Sequence, residues 1–189
     1  MRLECEMEIL IDTAQIQERL AVLAAEIDQF YSGAPYTVMP LLNGAMFFAV
    51  DLMRHLHGDF LVDSLAVSSY AGEHSTGEIR LRGDSKMPVA GKNVLVVDGV
   101  LDTGLTLTTV RKMLLERGAR TVRSAVLVSK QVPRHPLAAG YVPDWVGFSL
   151  PDYFIVGCGM DADERYRALP FVARINGPDA AGETLPGKD

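Results

Sequence analysis

Cysteine is nearly missing from this chain: Cys5 and Cys158 stand far apart and neither belongs to a C-x-x-C pair. That spacing offers no disulfide scaffold and no zinc set, and it suits a reducing compartment, so a cytoplasmic location is expected. Positive charge is also in deficit, with 18 lysines and arginines against 24 acids and a formal net charge of −6. Such a balance argues against a nucleic-acid partner, which needs a cationic face, and an anionic ligand must be met by local donors. No apolar run reaches the ~20 residues that a bilayer-spanning helix requires. The first residues, with Glu4, Glu6 and Glu8, lack a basic region followed by a hydrophobic segment. Neither membrane contact nor export is expected, and no internal repeat is present. What the chain does have is apolar content, 48% of 189 residues, enough for one substantial core.

Asp12 or Thr13 can cap a helix whose apolar positions Ile16, Leu20, Leu23, Ile27 and Phe30 follow the helical period until Ser32-Gly33. Tyr36 to Leu42 reads as a strand and Ala45 to His55 as a helix, with Asn43-Gly44 the tight joint between them. Residues 60–69 are extended; 71–91 are polar and glycine-bearing, with Ile79 and Leu81 suiting a short hairpin strand. So long an excursion predicts a flexible loop over about 70–91. Strand 93–97, a helix over about 105–117 stopped at Gly118, and strand 121–128 complete an alternation that predicts an α/β fold, a parallel twisted sheet flanked by helices. Short extended pieces near 144–148, 154–157 and 171–175, with the Pro- and Ala-rich stretch 131–143 and the N-terminal residues, are expected to build a small hood over the site. Residues 1–176 then form one domain, and the polar, glycine-rich 177–189 a disordered tail.

The most informative stretch is 94–107, VLVVDGVLDTGLTL. Four apolar β-formers suit a strand covered on both faces, and in such sheets ligands collect beyond the strands' carboxyl ends, which places Asp98 and Asp102 at a crevice. The turn 102–106 offers backbone N–H groups, the hydroxyls of Thr103 and Thr106 and the positive end of a helix, a cradle for a monoester phosphate. Gly104 permits close approach. A generic D-T-G alone would more often be an ordinary helix cap.

The acid, the apolar pair, D-T-G and T-L resemble the diphosphate-sugar signature of type I phosphoribosyltransferases. Leu41-Leu42-Asn43-Gly44, Ser68-Ser69-Tyr70 with Ser75-Thr76-Gly77, Val128-Ser129-Lys130, Val146-Gly147-Phe148 with Pro151-Asp152, and Gly157-Cys158-Gly159-Met160-Asp161 with Tyr166-Arg167 resemble the hypoxanthine-guanine branch in matching order, over roughly 8–175. The resemblance implies purine salvage, with phosphoribosyl pyrophosphate and a 6-oxopurine as partners, hypoxanthine or guanine, yielding IMP or GMP and pyrophosphate. It also implies magnesium and a homo-oligomer, a dimer or tetramer.

By the same resemblance Asp102 approaches N7 of the purine and handles its proton. Asp98 meets the ribose hydroxyls directly or through magnesium. Thr103, Gly104, Leu105 and Thr106 hold the 5′-phosphate. Asn43 and Gly44 turn their N–H groups to pyrophosphate, across a joint that contains a non-proline cis peptide in relatives. Ser69 and Tyr70 begin the loop that closes over the reaction. Lys130 donates to the exocyclic oxygen of the base, Phe154 stacks on it and the backbone of Ile155 reads its edge. Asp161 binds a second magnesium and Arg167 contacts pyrophosphate. Read without the resemblance, these residues are strand-end caps, solvated charges and core apolars.

Three positions depart from the pattern. Many relatives carry Arg or Lys at Asn43, tyrosine is frequent at Cys158, and a second acid usually stands where this chain has Gly99. The missing acid leaves open a catalytically weakened or regulatory homologue. A nucleotide-sensing, RNA-binding relative would need a basic face that the acidic balance disfavours. Xanthine shares the 6-oxygen, whereas adenine is disfavoured by Lys130.

Overall fold

The computed structural model describes residues 6–69 and 79–176. Helix α1 (Thr13–Tyr31) starts at a reciprocal capping box: Asp12 accepts from the Gln15 N–H at 2.9 Å, and the Gln15 side chain accepts from the Asp12 N–H at 2.9 Å. Asp12 is therefore the cap and Thr13 the first helical residue. The buried stripe is Ile16, Leu20, Leu23, Ala24, Ile27 and Tyr31. Phe30, expected in that stripe, is half exposed, because Tyr31 stacks on Tyr36 with centroids 3.9 Å apart, leaving Phe30 to meet Trp145 edge-on.

The main sheet holds seven strands. Beside β2 (Tyr36–Leu42) lie β3 (Phe60–Val62) and β4 (Leu65–Ser69) on one flank, then β5 (Ile79–Gly83); on the other flank come β6 (Asn93–Leu101), β7 (Thr121–Lys130) and β8 (Trp145–Leu150). All pairs are parallel except β4 with β5. β6 runs four residues past the expected 93–97, so Asp98 stands within the strand. The extended piece near 144–148, expected in the hood, is instead β8, the edge of the main sheet, where Phe148 pairs with Val128.

Alternation along β6 sends Leu95 and Val97 into a core shared with α1 and α2 (Met46–His55), and Val94 and Val96 into a second core under α3 (Leu105–Glu116). Helices on both faces explain the continuous apolar strands, each fully buried Leu or Val contributing ~1.5–3 kcal/mol. A small antiparallel sheet stands apart, with β10 (Val172–Asn176) between β1 (Glu6–Ile11) and β9 (Ile155–Val156). No helix among the described residues is long and apolar enough to cross a membrane.

Candidate active site

At the carboxyl end of β6 the chain turns through Asp102-Thr103-Gly104 into α3. Gly104 sits at φ 83°, and a Cβ there would lie 3.2 Å from that of Ala138, so both backbone and neighbour favour glycine. No side chain caps α3, which leaves its first-turn N–H groups for an anion. Thr103, Gly104 and Thr106 line a cavity of about 600 Å³, together with Asn43, Gly44, Asp98, Asp102, Asp161 and Arg167. Leu105 opens the helix and does not line it. Ser69 ends β4, and Tyr70 lies outside the described residues.

The opposite wall is the joint after β2, where the Leu42–Asn43 peptide is cis. The Gly44 carbonyl is wedged between two glycines: a Cβ on Gly99 would come within 2.8 Å of its oxygen, and one on Gly159 within 2.0 Å. Three backbone segments thus meet without side chains. The place where a second acid would begin is filled by this carbonyl, so Gly99 is part of the packing of the joint rather than a simple omission.

Next to this cavity a smaller one, about 220 Å³, is lined by Lys130, Phe154, Ile155 and Met160, and it shares Gly44, Asp98, Asp102, Asp161 and Arg167 with the first. The Lys130 ammonium, on a side chain only 12% exposed, lies 3.1 Å from Asp152 and 3.7 Å from Asp102. Ile155 is buried and Phe154 half exposed, its ring available to a flat ligand. Arg167 is committed within its own loop, donating to the Gly159 carbonyl at 2.7 Å, pairing with Asp161 at 2.8 Å and with Glu164 at 2.9 Å. Asp161 also accepts from the Glu164 N–H at 2.9 Å.

Arg134 escaped sequence reasoning. It donates to the carbonyls of Asp102 and Lys130 and to the Ser129 hydroxyl, while the His135 N–H bonds the Thr103 carbonyl at 2.9 Å. The turn 102–104 and the end of β7 are thereby fastened to one another. Its place four residues after Lys130 was the available signal, but the Pro-rich surroundings gave no periodicity to read.

The phosphoribosyl transferase domain family matches residues 8–163. Hypoxanthine phosphoribosyltransferase of Escherichia coli is 33% identical over 172 residues, 89% of this chain and 95% of that protein. The hypoxanthine-guanine phosphoribosyltransferase of Aquifex aeolicus is 37% identical over 172 residues, 90% of this chain and 95% of the relative. A crystal structure of a hypoxanthine-guanine phosphoribosyltransferase from Bacillus anthracis, with HEPES in its active site, superposes with a TM-score of 0.84 at 34% identity, over 92% of this chain and all of that one. The chain belongs to the phosphoribosyltransferase family, in its hypoxanthine-guanine branch. The weakened or regulatory homologue left open by Gly99 finds no support among these phosphoribosyltransferases, which match nearly end to end.

In a phosphoribosyltransferase the carboxylate of Asp98 calls for a partner. Burial pushes its pKa up to about 7, opposed by one hydrogen bond from the Gly99 N–H at 2.8 Å. A partly buried carboxylate that lines both cavities, with one N–H and, among the described residues, no ion pair, suits a cation. Among the described residues no three His, Cys, Asp or Glu side chains cluster as a metal set, so an ion here would draw on single carboxylates and ligand oxygens. Asp161 could serve only by sharing with Arg167.

The raised pKa also makes a stability statement. The folded chain holds the Asp98 proton where the unfolded chain, with the ordinary value of 3.8, has released it. Stability from this group is therefore lost as pH rises from about 4 to about 7 and is level above that. Asp98→Asn should raise the thermal midpoint of the ligand-free protein by about 5 °C at neutral pH and leave it nearly unchanged at the acid end of that window. A melting series across pH with both proteins checks this; parallel curves would show that the carboxylate is solvated.

Proposed function

We propose that this chain transfers the 5-phosphoribosyl group from phosphoribosyl pyrophosphate to hypoxanthine or guanine, giving IMP or GMP and releasing pyrophosphate, in purine salvage. The observation that carries this reading is the shared wall: Asp98 and Asp102 border both the larger cavity with its phosphate turn and the smaller one with its lysine and aromatic ring. A sugar phosphate on one side and a flat base on the other would meet beside two carboxylates, which suits a transition state with positive charge on the ribose.

Thr103, Gly104, Leu105 and Thr106 hold the 5′-phosphate through N–H and hydroxyl donors. Asn43 and Gly44 offer donors to the diphosphate. Lys130 gives a charge-assisted hydrogen bond to the 6-oxygen, Phe154 stacks on the base and the Ile155 backbone reads its edge. Asp102 takes the proton from the base as the new bond forms. Asp98 orients the ribose hydroxyls. Arg167 reaches pyrophosphate once its hold on Glu164 is exchanged for phosphate oxygens, and Ser69 and Tyr70 begin the segment that shields the reaction. Magnesium, when bound, would neutralise diphosphate oxygens, with Asp98 and Asp161 the residues to hold it. A cytoplasmic homo-oligomer belongs to the same proposal, and the exposed Met46, Val50, Leu61 and Val62 are apolar surface for self-association.

Incubation with phosphoribosyl pyrophosphate, magnesium and each of hypoxanthine, guanine, xanthine and adenine tests the reading. Pyrophosphate should appear in step with nucleotide for the first two and not for adenine, which presents an amino group to Lys130. Absence of product with every base would overturn it.

A further inference from the structure

Among the described residues the larger cavity is walled by the carboxylates of Asp98, Asp102, Asp161 and Glu164, yet by only two cations, Arg82 and Arg167. A sugar carrying a phosphate and a diphosphate brings several negative charges into that surround. Arg167 already satisfies Asp161, Glu164 and a carbonyl, and Asn43 on the rim is a neutral amide. Among the described residues Arg82 makes no ion pair.

The sheet explains why Arg82 points where it does. Ala66 of β4 pairs with Gly83 and Val67 with Leu81, so Arg82 is the extra residue of a β-bulge. A bulge leaves one residue outside the ladder and re-aims its side chain; here that side chain joins the cavity lining, next to Ala66 and Val67. Ala66 in turn pairs with Leu42. Two strand spacings put Gly83 about 10 Å from Leu42, and the long arginine stem can carry its charge towards the Asn43-Gly44 joint.

We propose that Arg82 binds the diphosphate of the sugar substrate and supplies there the positive charge that position 43 lacks. Its planar fork can grip two phosphate oxygens at once, while the 5′-phosphate is left to the turn 102–106. The inference rests on the function proposed above, so its test separates the two.

Binding of magnesium pyrophosphate and of IMP, the product that lacks a diphosphate, is titrated for the natural protein and for Arg82→Gln and Arg82→Lys. In Arg82→Gln, pyrophosphate should bind about tenfold or more weakly, as expected for loss of a charged hydrogen bond, and the KM for phosphoribosyl pyrophosphate should rise with it. IMP affinity should stay unchanged, and Arg82→Lys should keep part of the pyrophosphate affinity. Unaltered pyrophosphate binding in Arg82→Gln overturns the inference, as does equal weakening of IMP, which would mark a general effect on the site. A natural protein that binds neither ligand and turns over no base would instead sink the proposed function.

Discussion

Asp102→Asn should lower turnover by about 10²- to 10⁴-fold, the usual contribution of a positioned acid or base, and leave affinity for phosphoribosyl pyrophosphate within a few-fold of the natural protein. The split follows from the proposed roles, in which the Asp102 backbone belongs to the turn that holds the phosphate and its carboxylate to the base. Its carbonyl accepts from Arg134, a contact that asparagine keeps, and the substitution changes side-chain volume little. What disappears is the capacity to take a proton beside the base, together with the charge 3.7 Å from Lys130. Single-turnover rates measured alongside equilibrium binding of the sugar substrate check the result. If rate and affinity fell together, Asp102 would be shaping the turn and another group would be moving the proton.

Gly159→Ala should be more damaging than alanine at Gly44, Gly99 or Gly104. Gly159 stands at φ 104°, which L side chains rarely adopt, and its Cβ would overlap the Gly44 carbonyl at 2.0 Å. Backbone strain and forced displacement each cost about 1–3 kcal/mol, so the melting midpoint should drop by roughly 5–15 °C. Under the proposed function the KM for phosphoribosyl pyrophosphate should rise as well, because the part forced to move is the Asn43-Gly44 joint proposed to hold the diphosphate. Calorimetry paired with the KM for phosphoribosyl pyrophosphate checks both parts. A variant with natural melting and natural KM would mean the three backbones can separate freely.

Much of this was legible in the sequence because the physics is local. Apolar-rich segments at 36–42, 93–97 and 121–128, with 94–97 and 125–128 unbroken, announce strands covered on both faces, and the acid-to-threonine turn after the central one reads as a candidate anion cradle. The capping residue of α1 and the glycine of the phosphate turn obey rules that span four or five positions. Misreadings arose where the period allowed two answers. Residues 30 and 31 lie three and four positions after Ile27, both on the buried side, and only the tertiary partner Tyr36 decides for Tyr31. The segment 145–150 is short and mixed, so nothing within it says whether it completes the main sheet or the smaller one; pairing with β7 decides. Two further arginines at the site, besides Arg167, were hidden for a related reason. Arg134 acts by bonding backbone carbonyls distant in sequence, and Arg82 owes its direction to a bulge that exists only once two strands are paired.

The small sheet joins the first described strand to the last, with β10 between β1 and β9. Because β10 pairs with both β1 and β9, and the Ile175 N–H bonds the Phe154 carbonyl at 3.2 Å, the backbone beside Phe154 and Ile155 is held by a strand from far along the chain that is itself anchored on the first described strand. Loosening β1 should therefore be felt at the smaller cavity before it is felt at the turn 102–106, which belongs to the other sheet.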